Sequence, residues 1–405
     1  MTTASTPTTP ADPITSTAAT ASRIVVERSA RMMGTEVSVQ IAAAASERRT
    51  AEAAAATCMA WLAEVDQRLS RFRPESDLCR LNADAGRWHR CSDVLYACVE
   101  RAVAAARASG GLFDPTLLPR LEALGYDRDF ALIAHRETLS GGRDEPACSP
   151  TPDAAWAAIE LDPTGRRVRL PWGVRLDLGG IAKGWAADIA VERYCAGCDS
   201  VLVNVGGDLR LRGGPAPGQA WSVGIRDPLG EADEAPTRDI AAIAFSRGAL
   251  ATSGAVRRWW LRRGMRTHHV LDPRTGLPAA VWTGEDRTHG RGGEPLIATA
   301  TALAPTAARA EVAAKLALLR GYPSALSAVE AAWESDGPLG TDGGADSGVA
   351  LLLVLATGEA AVSANMRAYI ESWGTAGAAL PLLAGVDGAW ARFSDAPNLS
   401  GNETL

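Results

Sequence analysis

No stretch of the 405 residues approaches the ~20 consecutive apolar positions that a membrane-spanning helix requires. The longest apolar run, Val349 to Ala356, has only the length of a strand. A basic excess is also missing: 41 Lys and Arg stand against 47 Asp and Glu, for a net charge of -6. That balance argues against a nucleic-acid or anionic-membrane binder. Cysteine is scarce, seven in all, and an odd number at irregular spacings excludes a disulfide framework. Cys195 and Cys198 form a single C-x-x-C without the second pair a zinc site needs. They read first as free thiols near a helix end, with redox or metal chemistry as the alternative. Residues 1–22 lack the basic start and apolar core of a signal peptide, and no cysteine precedes Cys58 to serve as a lipobox. The expectation is a disordered tail on a cytoplasmic protein. Repeats of about 20–50 residues are absent, as are a Walker A loop, a G-x-G-x-x-G and a G-x-S-x-G elbow.

What is present is ample core material, 47% apolar against 22% charged residues, in a chain long enough for two to three domains or one large one. Residues 24–43 alternate around Met33-Gly34-Thr35 and predict a hairpin. Helical spacing covers 47–69, and Ser92 is a plausible N-cap for a helix over 92–108 that stops at Gly110-Gly111. Two strand signals lie between 156 and 178, the second ending in Val174-Arg175-Leu176-Asp177-Leu178, and a helix follows from about Ala182 to Tyr194. Strands are expected at 201–205, 209–212, 221–226, 240–245, 268–271 and 349–355, and helices at 306–319 and 323–333. Segments 136–153, 227–239, 284–294 and 335–348 read as loops or mobile insertions. Strands and helices mix without βαβ alternation, which predicts an α+β fold rather than a doubly wound sheet.

Five segments can carry chemistry. In L-D-L-G-G-I-A-K-G, 176–184, a carboxylate precedes two glycines and a helix that opens with Lys183. A cation in a first helical turn opposes the helix dipole, and it makes sense beside a phosphate; a plain strand–turn–helix with a surface lysine is the bland alternative. In H-H-V-L-D-P-R-T-G, 268–276, alternation sends His268 and His269 to opposite faces, so at most one serves a given pocket as a base. L-A-T-S-G, 250–254, reads as a tight turn whose hydroxyls meet a phosphate, or as a helix start capped by Ser253. G-G-L-F-D-P, 110–115, is either a site for a flat ring or a helix C-cap followed by a buried Phe. Glu311 and Lys315 share one helix face, for which a plain ion pair is the simplest reading.

Taken in order, these segments resemble the FAD:protein FMN transferase (ApbE) family. The likeness starts at Met33-Gly34-Thr35 and runs through R-L-S-R-F-R-P-E-S-D-L-C-R-L-N at 68–82 and G-G-L-F-D-P. It continues through L-D-L-G-G-I-A-K-G, V-L-V-N-V-G-G at 201–207, W-S-V-G-I-R-D-P at 221–228, A-T-S-G at 251–254, H-V-L-D-P-R-T-G at 269–276 and A-P-T-A at 304–307, covering about 31–370. The resemblance implies an ApbE-like, T-fold-related α+β architecture: a single large catalytic unit over 23–375, followed by a C-terminal extension over 376–405. It implies cleavage of FAD between its phosphates, with FMN passing to a Thr or Ser hydroxyl of a partner flavoprotein and AMP leaving. It places the catalytic base on His269. Flavin-nucleotide binding falls on Met33, Leu112, Phe113, Asp114, Asp177, Lys183, Ser253 and Val270. It implies Mg²⁺ held by the Gly180 carbonyl and by positions 311 and 315.

One departure stands out. The family shows Asp and, four residues on, Thr as metal ligands, where this chain has Glu311 and Lys315. Glu can still ligate a hard cation, whereas an ammonium carries donors and no acceptor. Two readings stay open: Lys315 stands in for part of the metal's charge, or the site binds FAD without transferring it. Mg²⁺-dependent hydrolysis of FAD is a further alternative. Val256 follows S-G-A at 253–255 where a hydroxyl is needed for self-modification, so the acceptor is expected to be another protein.

Overall fold

The computed structural model describes residues 22–134, 154–230, 239–262, 264–279, 288–289, 293–326, 348–363, 365–373 and 382–383. Nearly all of the expected tail, insertion 136–153, and most of 227–239, 284–294, 335–348 and 376–405 lie outside the described residues. Of the helix expected at 323–333, only 323–326 is described: Pro323 lies in a turn and 324–326 are helical.

The chain opens on the hairpin β1 (Arg23–Met32) and β2 (Thr35–Ala44), in which Met32 pairs with Thr35. Its two-residue turn places Met33 at φ 52 and Gly34 at φ 68, the mirror-image geometry that matches strand twist. Helix α1 (Arg48–Leu69) buries Ala51, Ala55, Cys58, Leu62, Val65 and Leu69, a stripe spaced by four and three residues. Each fully buried Leu or Val on it stabilises the fold by about 1.5–3 kcal/mol. Helix α2 (Asp77–Ala83), unforeseen in the sequence, is capped by Ser76, which accepts from the Cys79 N–H at 3.0 Å. After β3 (Trp88–Arg90), helix α3 (Asp93–Ala108) starts on the Ser92 cap as expected. The short helices α4 (Leu118–Ala123) and α5 (Phe130–Ile133) follow, then β4 (Glu160–Asp162) and β5 (Arg167–Arg169), which join β3 in a small sheet.

Residues 174–178 are not the strand expected there. They are irregular and are held by a side chain: the Asn82 amide donates to the Leu176 carbonyl at 2.9 Å and accepts from its N–H at 2.8 Å. One asparagine thus takes the place of a neighbouring strand, and the Asp177 N–H donates to the Pro115 carbonyl at 2.9 Å. Helix α6 (Ala182–Ile189) comes next, with a π-turn over Ala190–Tyr194.

The second half supplies β6 (Val201–Val205), β7 (Asp208–Arg212), β8 (Trp221–Arg226), β9 (Asp239–Phe245), β10 (Arg247–Gly254), β11 (Trp259–Arg262), β12 (Met265–His268), β13 (Leu271–Asp272) and β14 (Leu277–Pro278). It ends with β15 (Ile297–Ala304), α7 (Ala307–Arg320), β16 (Ala350–Leu355), β17 (Ala360–Val362), β18 (Ile370–Trp373) and β19 (Leu382–Leu383). A nine-stranded sheet has the order β1-β2-β6-β7-β10-β15-β16-β17-β19, antiparallel except at the last pair. Residues 250–254, expected to form a turn or helix start, are a central strand of this sheet, so Ser253 caps no helix. His268 and His269 do not lead a single strand. They close β12 and begin the link to β13.

Three layers result, and the fold is α+β. Helices α1, α6 and α7 cover one face of the large sheet, with α3 packed against α1, and the core there includes Val37, Val39, Ile41, Val201, Val203, Leu351 and Leu353. The sheet β18-β9-β8 covers the other, meeting Leu202, Leu209, Leu211, Leu250, Leu352 and Val354. Alternation along the strands divides the apolar side chains between the two interfaces, broken in β15 by a register shift between Ile297 and Thr299. Beneath α7 the strands β10 and β15 present Ala249, Ala251, Ala300, Ala302 and Ala304 to a helix itself rich in buried alanine. Small side chains on both surfaces bring that helix close to the sheet.

Candidate active site

At one end of the helical face a cleft of about 900 Å³ opens. It is walled by the β1–β2 turn, the end of α1, the 112–114 segment, the glycine turn before α6, the β10 end, the His269 link and α7. A satellite cluster of Leu121, Leu124, Ile133, Trp260 and Leu271 supports its outer wall, with the Trp260 indole donating to the Leu124 carbonyl at 2.8 Å.

The positions singled out in the sequence converge on this cleft. Met33, Leu112, Phe113, Asp114, Asp177, Gly180, Lys183, Ser253, His269, Val270 and Lys315 all line it. Glu311 does not; it is fully buried behind the lysines. Met33 is fixed through its N–H, which donates to Asp66 Oδ1 at 2.8 Å, while Asp66 Oδ2 pairs with Arg73 at 2.7 Å. Asp114 accepts from the Thr116 N–H and hydroxyl at 2.8 and 2.6 Å, and burial nevertheless pushes its carboxyl above the usual range. Asp177 takes the Gly179 N–H at 2.8 Å and faces Arg71 Nε at 3.3 Å. Arg71 in turn lies over the rings of Phe72 and Tyr126, 4.1 and 4.3 Å from their centroids.

The two histidines divide, one inward and one toward the cleft, across the end of β12. His268 is buried and structural: its Nε2 bonds the Ala279 carbonyl, and its Nδ1 accepts from the Val270 N–H at 3.3 Å. His269 faces the cleft, and its buried Nδ1 has no hydrogen-bond partner among the described residues. Burial, then the nearby Arg258, His268, Lys315 and Lys183 charges, hold its pKa well below the ordinary 6.5. The imidazole is therefore neutral at neutral pH and able to accept a proton.

The floor is a four-membered charge cluster. Lys183 Nζ donates to Asp208 Oδ2 and, at 2.6 Å, to Glu311 Oε1. Lys315 Nζ reaches the same Oε1 at 3.1 Å and the Glu311 carbonyl at 3.4 Å. Glu311 Oε2 accepts the Gly184 N–H at 2.9 Å. Burial opposes ionisation of Glu311, but the two ammoniums prevail and keep its pKa below the usual value. Burial likewise lowers the Lys315 pKa, while the carboxylates overcome burial at Lys183 and raise it. The unusual lysine in the first turn of α6 is thus explained by two carboxylates of the protein itself. Glu311 and Lys315 do form the ion pair their spacing suggests, as part of this larger cluster.

This donor set does not fit Mg²⁺. The positions assigned to metal ligands by resemblance, Gly180, Glu311 and Lys315, do meet, but the Lys315 stem fills the space between them. A methyl group on Gly180 would stand 3.5 Å from Lys315 Cε and 3.1 Å from the Phe113 ring. Each oxygen of Glu311 already has a protein donor, and Lys315 offers no acceptor. A divalent cation about 4 Å from one ammonium is repelled by about 8 kcal/mol at an effective dielectric of about 20. Among the described residues no group of three or more His, Cys, Asp or Glu is placed to hold a metal ion.

Three participants escaped the sequence reading. Asp208 follows directly on the quoted V-L-V-N-V-G-G, and a carboxylate at a strand start next to two glycines was the available signal. Arg71 lay inside a quoted motif without a role. Asp188 sits on the buried face of α6, where an acidic residue needs partners. It has them in the Ala307 and Ala308 N–H groups at 2.7 and 3.0 Å and in Arg210 at 3.5 Å.

Layered architecture and cleft together define an α+β protein with a cation-floored cleft at one end of its helical face. The crystal structure of an ApbE protein from Thermotoga maritima superposes with a TM-score of 0.68 at 23% identity, covering 86% of this chain and all of that one. The apo flavinyl transferase ApbE of Pseudomonas stutzeri gives 0.64 at 22% identity, covering 86% and 98%. The ApbE family model matches residues 33–335, and the chain belongs to the ApbE family. An FAD:protein FMN transferase of Treponema pallidum is 34% identical over 223 residues, which cover 52% of this chain and 59% of that protein. One from Haemophilus influenzae is 25% identical over 320 residues, covering 76% and 84%. No helix among the described residues is long and apolar enough to cross a membrane.

Proposed function

We propose that this chain transfers FMN from FAD to a threonine or serine hydroxyl of a partner flavoprotein, in the cytoplasm, releasing AMP. The observation that carries the proposal is a neutral His269 sharing one cleft with the ammoniums of Lys183 and Lys315. The names of the relatives from Treponema and Haemophilus support the same reading. His269 takes the proton of the acceptor hydroxyl as its oxygen attacks the phosphorus of the FMN half. The new O–P bond forms while the bond from that phosphorus to the bridging oxygen breaks, and its electron pair leaves with AMP. Positive charge beside the diphosphate offsets the developing negative charge. Phe113 offers a ring face and Asp177 a carboxylate to the rest of the dinucleotide. No step runs through Mg²⁺, because the residues at the expected ligand positions do not suit it.

The test mixes the protein, FAD and a candidate acceptor flavoprotein carrying a Thr or Ser modification site, then follows in-gel flavin fluorescence and AMP release. Covalent fluorescence on the acceptor with AMP in equal amount is expected. Free FMN with AMP would show hydrolysis instead, and unchanged FAD would show binding without turnover.

A further inference from the structure

We infer that Lys315, together with Lys183, replaces the divalent cation at the diphosphate side of this cleft, so that FAD binds without metal. The inference rests on the flavin-transfer reading above and deepens it.

The geometry assigns the role. Lys315 arises from the third turn of α7 and lays its stem along Gly180, so its ammonium stands between the glycine turn and the buried Glu311. Two of its three N–H donors serve Glu311, at 3.1 and 3.4 Å, and the side chain remains 16% exposed on the cleft side. Lys183 repeats the arrangement: two donors serve Asp208 and Glu311, and 17% of the side chain faces the same cleft. Each ammonium therefore keeps one donor for a ligand oxygen. The carboxylates that would coordinate a cation in their absence are the ones that hold them in place. Glu311 is entirely buried and accepts three protein donors, so its role is to position the two lysines. A fixed pair of ammoniums presents diphosphate oxygens with two positive charges that need not be recruited from solution.

The test uses the full-length protein after exhaustive EDTA treatment. Mn²⁺ is titrated into the protein alone and followed by electron paramagnetic resonance. FAD binding is measured by flavin fluorescence in EDTA and in millimolar MgCl₂. The expected results are no stoichiometric bound Mn²⁺ and FAD affinities equal to within about twofold in the two buffers. Lys315→Thr takes one of the two ammoniums off Glu311 Oε1 and supplies a hydroxyl ligand in its place; it should lose about tenfold or more in FAD affinity in EDTA and recover with MgCl₂. Lys315→Met, which supplies neither charge nor ligand, should lose affinity in both buffers. Stoichiometric Mn²⁺ in the wild-type protein, FAD affinity that rises tenfold or more with MgCl₂, or a Lys315→Thr variant that binds FAD normally in EDTA would each overturn the inference while leaving flavin transfer standing. Failure of the wild-type protein to bind FAD in either buffer would remove the transfer reading and this inference with it.

Discussion

Two charge clusters lie along the α6–α7 interface, and they use the same chemistry to opposite ends. In one, Asp188 caps the first N–H groups of α7 and pairs with Arg210; all these groups are buried and none lines the cleft. In the other, a turn further along α7, Glu311 and Asp208 hold Lys183 and Lys315, whose ammoniums do line it. The first cluster orients a helix; the second aims two cations. Burial of a carboxylate is thus uninformative by itself. What separates structure from function here is whether the partner cation reaches an open surface.

If the open cluster serves an active centre, the largest single loss belongs to His269, the neutral base beside it. His269→Ala should lower the transfer rate by about 10²–10⁴-fold while FAD affinity changes little. A variant that transfers at the wild-type rate would remove the base assignment. The pH profile sharpens the same point. Because the His269 pKa lies below 6.5, the base stays unprotonated down to that pH. Transfer should be flat across pH 6.5 and decline only in more acid solution, with a limb that His269→Ala lacks. The sign for stability is the same: between its folded and unfolded values the unfolded chain binds the extra proton, so this group's contribution falls as pH drops below about 6.5.

The sealed cluster should behave in the opposite manner. Asp188→Ala removes a cap from α7 and the nearer carboxylate from Arg210, which keeps the Pro305 carbonyl and Glu192 at 3.8 Å, costing about 3 kcal/mol of stability. Below its melting temperature the variant should bind FAD as the wild type does. A change in FAD affinity as large as the change in stability would erase the distinction between the clusters. Burial also pushes the Asp188 carboxyl up to about 6, against Arg210 and the two amides. Its ionisation therefore subtracts stability as pH rises from the unfolded carboxylate value toward 6, and Asp188→Asn should flatten that part of a melting-temperature profile.

Much of this was legible in the sequence where local chemistry decides the outcome. The hairpin followed from alternation about Met33-Gly34, and α3 from its Ser92 cap. The cleft residues followed from the order of short motifs and the family resemblance those motifs carry. What was not legible depends on partners distant in the chain. Ile297–Ala304 reads as Ala and Thr and carries no strand signature, yet β15 is the sixth strand of nine because β10 and β16 pair with both its edges. Residues 250–254 read as a turn because they are small; they are small because α7 lies against the sheet there. Leu176 and Asp177 read as a strand by pattern, but their backbone partners are Asn82 and Pro115. Asp188 gave no motif, and Asp208 only its place after two glycines, since a buried carboxylate declares its role only once its cation is located.

Gly184 tests the link between the two clusters, because it touches both. Its N–H donates to Glu311, and its missing side chain lets α6 approach the start of α7, where Asp188 acts: a methyl group there would stand 2.4 Å from the Ala307 carbonyl oxygen. Backbone cannot yield as a side-chain end can. Gly184→Ala should push α6 away from α7 at a cost of about 1–3 kcal/mol, the smallest effect proposed for this interface. Unlike Asp188→Ala, it should also weaken FAD binding, because the displaced amide no longer fixes the carboxylate that aims Lys183 and Lys315. Thermal melting and FAD titration on the same sample separate the cases. A lower melting temperature with unchanged FAD affinity would mean that the lysines are held without Gly184, and that the two clusters, though neighbours, are energetically independent.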